Sequence, residues 1–186
     1  MIYDSLVIND CTDVYKPRED TVLMAKAVEE HAFGQVLDLG TGTGALGIVA
    51  AKKGCSVTFA DISASAVECA KSNAELNGVS GKFVVSDLFD SIRGRFDTII
   101  FNPPYLPSET TPNDPKLVPL EGGSRGREVI DRFLEEYKQH VEPKHKVLLL
   151  ESSMNGYEGD IARLGAKIIG KTHYFFEDLV VLLLEQ

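Results

Sequence analysis

Short apolar runs rich in β-branched residues alternate along this chain with segments whose apolar residues recur at helical spacing. The apolar runs predict strands over residues 35–39, 56–61, 82–86, 97–101 and 146–150. The helical spacing predicts helices over residues 21–32, 45–53, 65–77, 125–140 and 156–164. Two last runs, 166–172 and 175–184, are separated by a tight turn and predict an antiparallel hairpin. This alternation is typical of one α/β domain, here residues 1–186, with a mostly parallel sheet and helices on both faces.

Capping residues support four of the predicted helix boundaries. Asp20 is available as a cap in front of the first helix, and Gly54 closes the second helix. Residues 65–68, Ser-Ala-Val-Glu, have the spacing of a capping box, and the helix that they open stops at Gly78.

Composition narrows the class of protein. A chain of 186 residues with 44% hydrophobic residues can bury one domain core. The net charge of −9 disfavours nucleic acid as the main partner, because an acidic surface repels phosphate. The cysteines Cys11, Cys55 and Cys69 are far apart in sequence, so we expect buried free thiols in a reducing compartment. We also expect a cytoplasmic location, no metal site and no membrane segment, since neither histidine spacing nor any apolar run indicates one.

A glycine-rich turn follows the first predicted strand, with Gly40, Gly42 and Gly44 at alternate positions. Glycine lets the backbone turn tightly and lets a ligand approach the chain closely. Asp61 ends the second predicted strand, 21 positions after Gly40, where a carboxylate can accept both hydroxyls of a ribose. By itself the glycine pattern also fits a structural turn or a dinucleotide site, and Asp61 also fits a strand-end cap.

Two further carboxylates favour S-adenosylmethionine over NAD as the cofactor. Asp38 precedes the glycine turn, where it suits a cofactor with a cationic amino group and would repel a pyrophosphate. Asp87 follows the third predicted strand, in position to meet an adenine amino group. Three acidic strand ends around one glycine turn fit S-adenosylmethionine better than NAD.

The tetrapeptide Asn102-Pro103-Pro104-Tyr105 follows the fourth predicted strand, at the edge where open α/β sheets bind ligands. Proline restricts the preceding residue, so the Asn102 side chain is directed off the strand end. The Asn102 carbonyl oxygen and the main-chain carbonyl of Pro103 can each accept one hydrogen of a planar NH2 group. That arrangement aims the nitrogen at an incoming methyl group, and Tyr105 can stack on the flat acceptor. The alternative is a proline-rich turn after a strand.

A long loop is predicted over residues 103–124, because five prolines and two glycines lie between Pro103 and Ser124. Long ordered loops in compact domains are usually functional, and we expect this one to contact the substrate.

With these motifs, the chain resembles the class I methyltransferases over nearly its whole length. More narrowly, it is similar to the HemK-type glutamine methyltransferases, which act on class I peptide-chain release factors. Residues 13–21 (DVYKPREDT) and 120–133 (LEGGSRGREVIDRF) are similar to the archaeal and eukaryotic branch. The resemblance implies a Rossmann-like, seven-stranded sheet that ends in a hairpin. It also implies methylation of the glutamine in a Gly-Gly-Gln loop, with S-adenosyl-L-homocysteine as the second product.

The resemblance further implies the residues of the site. Residues 1–20 become a segment that covers the cofactor, with Tyr15 closing over it. The implied cofactor-binding residues are Tyr15, Thr21, Asp38, Gly40, Gly42, Gly44, Asp61, Ile62, Asp87, Leu88 and Asn102. The implied catalytic residues are Asn102, Pro103 and Tyr105.

A partner is also implied. In this branch the catalytic subunit works with a small zinc-binding activator protein, as a heterodimer. The bacterial members carry an N-terminal helical domain that helps bind the release factor, and only 20 residues precede the first predicted helix here. We therefore expect the loop 103–124 and a partner subunit to recognise the substrate. The third strand, 82–86, could accept the partner at the edge of the sheet by strand addition.

Alternative functions remain open at this stage. The acceptor slot formed by the Asn102 side chain and the Pro103 carbonyl could also serve an adenine-N6 methyltransferase, because adenine also offers a planar NH2 group. A lysine side chain could also fit this slot. Methylation of adenine in a duplex requires base flipping, which needs a cationic groove. The group of residues in this sequence that most resembles such a groove is Arg125, Arg127 and Arg132. We expect these arginines to pair with the acidic residues Glu121, Glu128 and Glu135 instead, or to orient one substrate loop. A non-catalytic cofactor-binding protein is the third alternative, which an intact 102–105 motif disfavours.

Overall fold

The computed structural model describes residues 1–106, 122–174 and 176–186 of the chain. Within these ranges the strands are β1 (Gln35–Leu39), β2 (Ser56–Asp61), β3 (Gly81–Val85), β4 (Phe96–Phe101), β5 (Val141–Ser152), β6 (Lys167–Tyr174) and β7 (Glu177–Glu185). The α-helices are α1 (Glu19–His31), α2 (Ala45–Lys52), α3 (Ala64–Leu76), α4 (Glu128–Glu136) and α5 (Glu158–Leu164). Every predicted strand and helix is therefore confirmed, with ends that differ by a few residues.

The strands form one sheet in the order β3-β2-β1-β4-β5-β7-β6. β7 pairs antiparallel with both β5 and β6, and the remaining pairs are parallel. The predicted mostly parallel sheet with a C-terminal antiparallel hairpin is thus confirmed. β3 lies at one edge of the sheet, as the sequence predicted, and β6 lies at the other edge.

Helices cover both faces of the sheet, as predicted. Successive side chains of a strand point to opposite faces, so Asp38 and Leu39 of β1 mark the two sides. Asp38 accepts a hydrogen bond from the backbone N–H of Gly47 in α2. Leu39 is in register with Phe101 of β4, and the Phe101 ring packs on Phe133 of α4 with centroids 4.7 Å apart. α2 and α4 therefore lie on opposite faces.

The order of the strands creates a crevice at the centre of the sheet. From β1 the chain continues outward to β2 and β3, and it then returns to β4 on the other side of β1. In open α/β sheets, ligands bind at such a reversal, outside the carboxyl ends of the strands. The turn after β1 and the segment after β4 meet at this place.

Two predicted helix caps are wrong. Asp20 lies inside α1, which begins at Glu19, because its carboxylate bonds to side chains from other segments rather than to the helix backbone. Ser63, not Ser65, caps α3: its backbone is extended and its Oγ accepts from the N–H of Ala66 at 3.3 Å. Both helices therefore begin earlier than the sequence pattern indicates.

The predicted helix 125–140 is shorter than expected. α4 spans Glu128–Glu136, and a single 3-10 turn, Tyr137–Gln139, follows it. The residues before α4 form a turn, because Gly126 has a left-handed φ of 68° that a helix does not allow. Among the helices of the described residues, none is long and apolar enough to cross a membrane.

The expectation of three free thiols is wrong. Cys11 and Cys69 form a disulfide, with their Cα atoms 6.1 Å apart, and Cys55 alone remains a free, half-buried thiol. The N-terminal segment lies along α3, where the side chains of Asn73 and Asn77 bond to the backbone of residues 9 and 7. This docking brings together two cysteines that are 58 residues apart in sequence.

Candidate active site

A cavity of about 420 Å³ lies at the carboxyl ends of β1 and β4, a size typical of small-molecule sites. Ten of the predicted site residues line it: Tyr15, Thr21, Gly40, Gly42, Asp61, Ile62, Asp87, Leu88, Asn102 and Pro103. Asp38, Gly44 and Tyr105 are not among its lining residues. The fold thus brings most of the predicted site residues to one place.

The glycine turn after β1 forms the floor of the cavity. Gly42 has a left-handed φ of 53°, and its N–H donates to Asp61 Oδ2 at 2.9 Å. Gly44, with a φ of 83°, begins α2 so close to α3 that a Cβ atom there would lie 3.0 Å from Ala70. The glycines are therefore needed for turning and for helix packing, and their role in access of a ligand stays a prediction.

Asp38 holds this turn in place. Its side chain is 1% exposed, and Oδ2 accepts from Thr41 Oγ1 at 2.6 Å and from the N–H of Gly47 at 2.9 Å. Burial raises the pKa of Asp38 to about 7, although both hydrogen bonds oppose the shift. In this structure Asp38 acts on the turn, and its contact with a cofactor amino group stays a prediction.

Asp61 is fixed at the end of β2 with both oxygens held by backbone groups. Oδ1 accepts from the N–H of Ser63 and Oδ2 from the N–H of Gly42, each at 2.9 Å. A carboxylate oxygen can accept two hydrogen bonds, so each retains the capacity to accept from a ribose hydroxyl. The neighbouring Ile62 is 68% exposed at the rim of the cavity.

The segment after β3 carries unusual backbone geometry. Leu88 has a φ of 42°, a left-handed conformation that is rare for a leucine, and its carbonyl accepts from Ser86 Oγ at 2.8 Å. Asp13, which also lines the cavity, is the other non-glycine residue of the described chain with positive φ, at 60°. Such conformations cluster at functional sites because the surrounding structure must hold them.

Asp87 has a partner that sequence reasoning missed. Arg132 of α4 reaches its carboxylate at 3.2 Å and itself lines the cavity. The predicted pairing of the arginines with nearby glutamates is therefore wrong for Arg132. It is also wrong for Arg127, which bonds to Asp131, Glu151 and Asp160. Because α4 lies far from β3 in sequence, the sequence pattern contains no signal for the Asp87 pair.

The slot at the end of β4 presents a free acceptor. Asn102 Oδ1 is buried and has no hydrogen-bond partner among the described residues, whereas Nδ2 donates to Asp20 Oδ2 at 2.9 Å. A buried carbonyl oxygen without a partner is costly, so it calls for a ligand donor. Tyr105 is 5% exposed in the core, and its stacking on an acceptor stays a prediction.

The N-terminal segment forms the wall opposite the glycine turn. Val14, Tyr15 and Pro17 line the cavity, and the Tyr15 hydroxyl donates to Asp20 Oδ1 at 3.0 Å. The sequence pattern predicts Asp20 as a helix cap, yet its carboxylate connects this wall to Asn102. Its place inside the motif of residues 13–21 was the signal that could have identified it.

Both ends of the predicted substrate loop are anchored beside the slot. The N–H of Gly122 donates to the carbonyl of Leu106 at 2.8 Å, and Asn155 Nδ2 donates to the carbonyls of Tyr105 and Gly126. Most of the predicted loop 103–124, namely residues 107–121 with Glu121, lies outside the described residues.

The sequence matches a known family model and curated relatives. The methyltransferase small domain model matches residues 17–114. The chain is 39% identical over 178 residues to a Methanocaldococcus jannaschii protein named "putative protein N5-glutamine methyltransferase", covering 91% of this chain and 90% of that protein. It is 36% identical over 134 residues to the release factor glutamine methyltransferase of Agrobacterium fabrum, of which it covers 46%.

A solved structure agrees with these relatives. The E. cuniculi Mtq2-Trm112 complex, described as responsible for methylation of the eRF1 translation termination factor, aligns with a TM-score of 0.73 and 30% identity. The alignment covers 94% of this chain and 99% of that chain. This chain is a methyltransferase with the class I fold, and it belongs to the methyltransferase small domain family.

Proposed function

We propose that this methyltransferase transfers the methyl group of S-adenosyl-L-methionine to the side-chain amide nitrogen of a glutamine, in the Gly-Gly-Gln loop of a class I peptide-chain release factor. The observation that carries the proposal is the buried, unpartnered Oδ1 of Asn102, a residue that lines the cavity. The names of the relatives, protein N5-glutamine methyltransferase and release factor glutamine methyltransferase, support the choice of acceptor.

The chemistry needs two acceptors and no strong base. Asn102 Oδ1 and the main-chain carbonyl of Pro103 each accept one hydrogen of the substrate NH2 group and thereby fix its plane. The nitrogen forms a bond to the methyl carbon as the bond from that carbon to sulfur breaks. The sulfonium becomes the thioether of S-adenosyl-L-homocysteine, and the nitrogen releases one proton. Catalysis is then largely a matter of position.

The cofactor fits the polar groups of the cavity. Asp61 accepts from the ribose hydroxyls, and Asp87 with Leu88 meets the adenine. The turn from Gly40 to Gly44 contacts the cofactor through its backbone, while residues 1–20, including Tyr15, cover it. Thr21 completes the wall next to Asn102.

A small activator subunit is part of the proposal. The related Mtq2 was solved as a complex with Trm112. In this chain β3 is an edge strand on which Val85 is 50% exposed, and an unpaired strand edge can accept a strand from a partner. We expect the activator to bind zinc and the pair to act in the cytoplasm, where the residues 103–124 contact the release factor.

The test is mass spectrometry of purified release factor after incubation with this protein and S-adenosyl-L-methionine, with and without the activator. The expected product is one added methyl group on the glutamine of the Gly-Gly-Gln loop. A release factor with Asn in place of that glutamine is the matched control and should remain unlabelled, since its amide lies one methylene short of the slot. Methylation of adenine in DNA or RNA, or of a lysine, with an unmodified glutamine would contradict the proposal.

A further inference from the structure

Asp20 lies where two walls of the active site meet. It is the second residue of α1, its side chain is 2% exposed, and it lies 82 positions from Asn102 in sequence. One carboxylate oxygen, Oδ2, accepts from Asn102 Nδ2 at 2.9 Å. The other, Oδ1, accepts from the Tyr15 hydroxyl at 3.0 Å and from Thr21 Oγ1 at 3.3 Å. Asp20 therefore fixes groups on both sides of the cavity.

We propose that Asp20 is a positioning residue that sets which end of the Asn102 amide faces the substrate. The proposal rests on the proposed amide methylation. An asparagine side chain presents an oxygen at one end and an NH2 group at the other, and a rotation of half a turn exchanges them. If the NH2 end faced the cavity, it would meet the NH2 group of the substrate, donor against donor.

A carboxylate enforces one orientation because it accepts hydrogen bonds and donates none. Facing Asp20, the Asn102 amide can only place Nδ2 toward it, which leaves Oδ1 as the end available to the substrate. The buried and unpartnered state of Oδ1 is the expected consequence of this selection. A charge-assisted bond of this kind is also stronger than one between neutral groups.

Tyr15 and Thr21 hold the carboxylate itself. Burial and the nearby charge of Asp20 raise the pKa of Tyr15, so its hydroxyl stays protonated and donates. The same contact joins the covering segment to the acceptor slot. Closure of that segment over the cofactor is thereby linked to the orientation of Asn102.

An exchange of the two side chains tests the proposal. Asn102→Asp places two carboxylates face to face and should lower kcat by about 100-fold, as misplacement of a reacting group does. In the double variant Asp20→Asn with Asn102→Asp, the amide introduced in α1 can donate to the carboxylate introduced after β4, whose second oxygen again faces the cavity. We expect kcat to recover by about tenfold over the single Asn102→Asp variant, because the effects of substitutions at two contacting residues are not additive. Calorimetry of S-adenosyl-L-methionine with each variant separates loss of cofactor binding from loss of turnover.

Glu30→Gln makes the same chemical change at an exposed position of α1 and should retain wild-type turnover. A double variant no more active than the single Asn102→Asp variant would overturn the proposal and leave Asp20 with a structural role.

A second measurement needs neither substrate nor variant. In labelled wild-type protein, NMR should show a scalar coupling across the hydrogen bond between the Asn102 side-chain nitrogen and the Asp20 carboxyl carbon. Absence of that coupling would overturn the proposal even if glutamine is methylated. If wild-type protein methylates no glutamine, the proposed function fails, and the NMR result still decides the orientation of Asn102.

Discussion

The Oδ1 atom of Asn102 is the residue-scale feature on which the proposed chemistry depends. It is buried, it belongs to a residue that lines the cavity, and no donor among the described residues reaches it. The NH2 end of the same amide is already used by Asp20. A preorganised acceptor of this kind acts in the transition state without having to reorient.

Replacement of this acceptor should separate catalysis from cofactor binding. In Asn102→Ala, we expect the loss of roughly 3 kcal/mol of transition-state stabilisation, by analogy with loss of one oxyanion-hole donor. The measurement is kcat on release factor, together with calorimetry of S-adenosyl-L-methionine. Cofactor affinity should change little, because the floor and rim of the cavity come from other strands. Near-normal turnover would remove the slot from the mechanism.

Asp38 should give the protein a measurable pH dependence. Its folded-state pKa of about 7 lies above the ordinary value of 3.8, so the folded protein holds this proton more tightly than the unfolded chain. The free energy of unfolding should therefore fall as pH rises from about 4 to about 7. Urea titrations across this window should show the slope in wild type and a flatter one in Asp38→Asn.

Asp90→Asn, at an exposed position, serves as the matched control and should keep the wild-type slope. Identical slopes in Asp38→Asn and wild type would mean that Asp38 ionises in the folded protein as it does in the unfolded chain.

At the scale of elements, the N-terminal segment is attached to α3 by the hydrogen bonds of two asparagine side chains and by one disulfide. Asn73 and Asn77 bond to its backbone, and the Cys11–Cys69 disulfide joins it covalently. The bridge packs against Val14 and Ala66, and both of these residues line the cavity. The segment is thus a wall of the site as well as part of the fold.

Loss of the bridge should weaken both stability and cofactor binding. Cys69→Ser, or reduction of wild type, should lower the free energy of unfolding by roughly 2–4 kcal/mol, because the unfolded chain regains the freedom of a long loop. Affinity for S-adenosyl-L-methionine should fall as the wall loosens. Urea unfolding and calorimetry with and without reductant measure the two effects.

Cys55→Ser removes the free thiol and should respond to reductant as wild type does. A wild-type protein that keeps the same stability and affinity after reduction would show that the two asparagine contacts alone hold the segment.

At the scale of the whole molecule, Arg127 connects elements that are distant in sequence. Its guanidinium bonds to Asp131 of α4, Glu151 of β5 and Asp160 of α5, at 2.7 to 3.2 Å. Glu151 is fully buried, and burial together with Asp160 raises its pKa. Arg127 therefore contacts three carboxylates, one of which, Asp160, also pairs with Arg163 at 2.8 Å.

Removal of this cation should destabilise the fold. Arg127→Met leaves the buried Glu151 without its cation and leaves Asp160 with Arg163 alone, at a cost of about 3–5 kcal/mol. The loss in free energy of unfolding relative to wild type should grow as pH rises, because the carboxylates that no longer contact Arg127 then lose their protons. Thermal and urea unfolding at several pH values measure it. Arg125→Met, at an exposed position of the same turn, is the control, and an equal effect of both substitutions would contradict this role.

The residues of the cofactor site were largely predictable, because each is identified by a pattern in the few residues around it. Gly40, Gly42, Asp61 and Asn102 each lie at or just after the end of a strand, and the carboxyl ends of parallel strands share one edge of the sheet. Alternation of strands and helices indicates a parallel sheet. In such a sheet, a residue that follows the end of a predicted strand can be placed in the site from its sequence position alone. Asp38 fitted this rule only in part, since its side chain points to the face covered by α2.

The sequence alone determined the α/β class, the strand edge that carries the site and the identity of its main groups, because periodicity and turn chemistry act over a few residues. Contacts between distant segments required the tertiary structure. The bonds of Asp20 to Tyr15 and Asn102, the Arg132–Asp87 pair, the Arg127 network and the Cys11–Cys69 bridge depend on where folded elements come to lie. Side chains that are far apart in the chain leave no local pattern, so only the packed fold decides which of them meet.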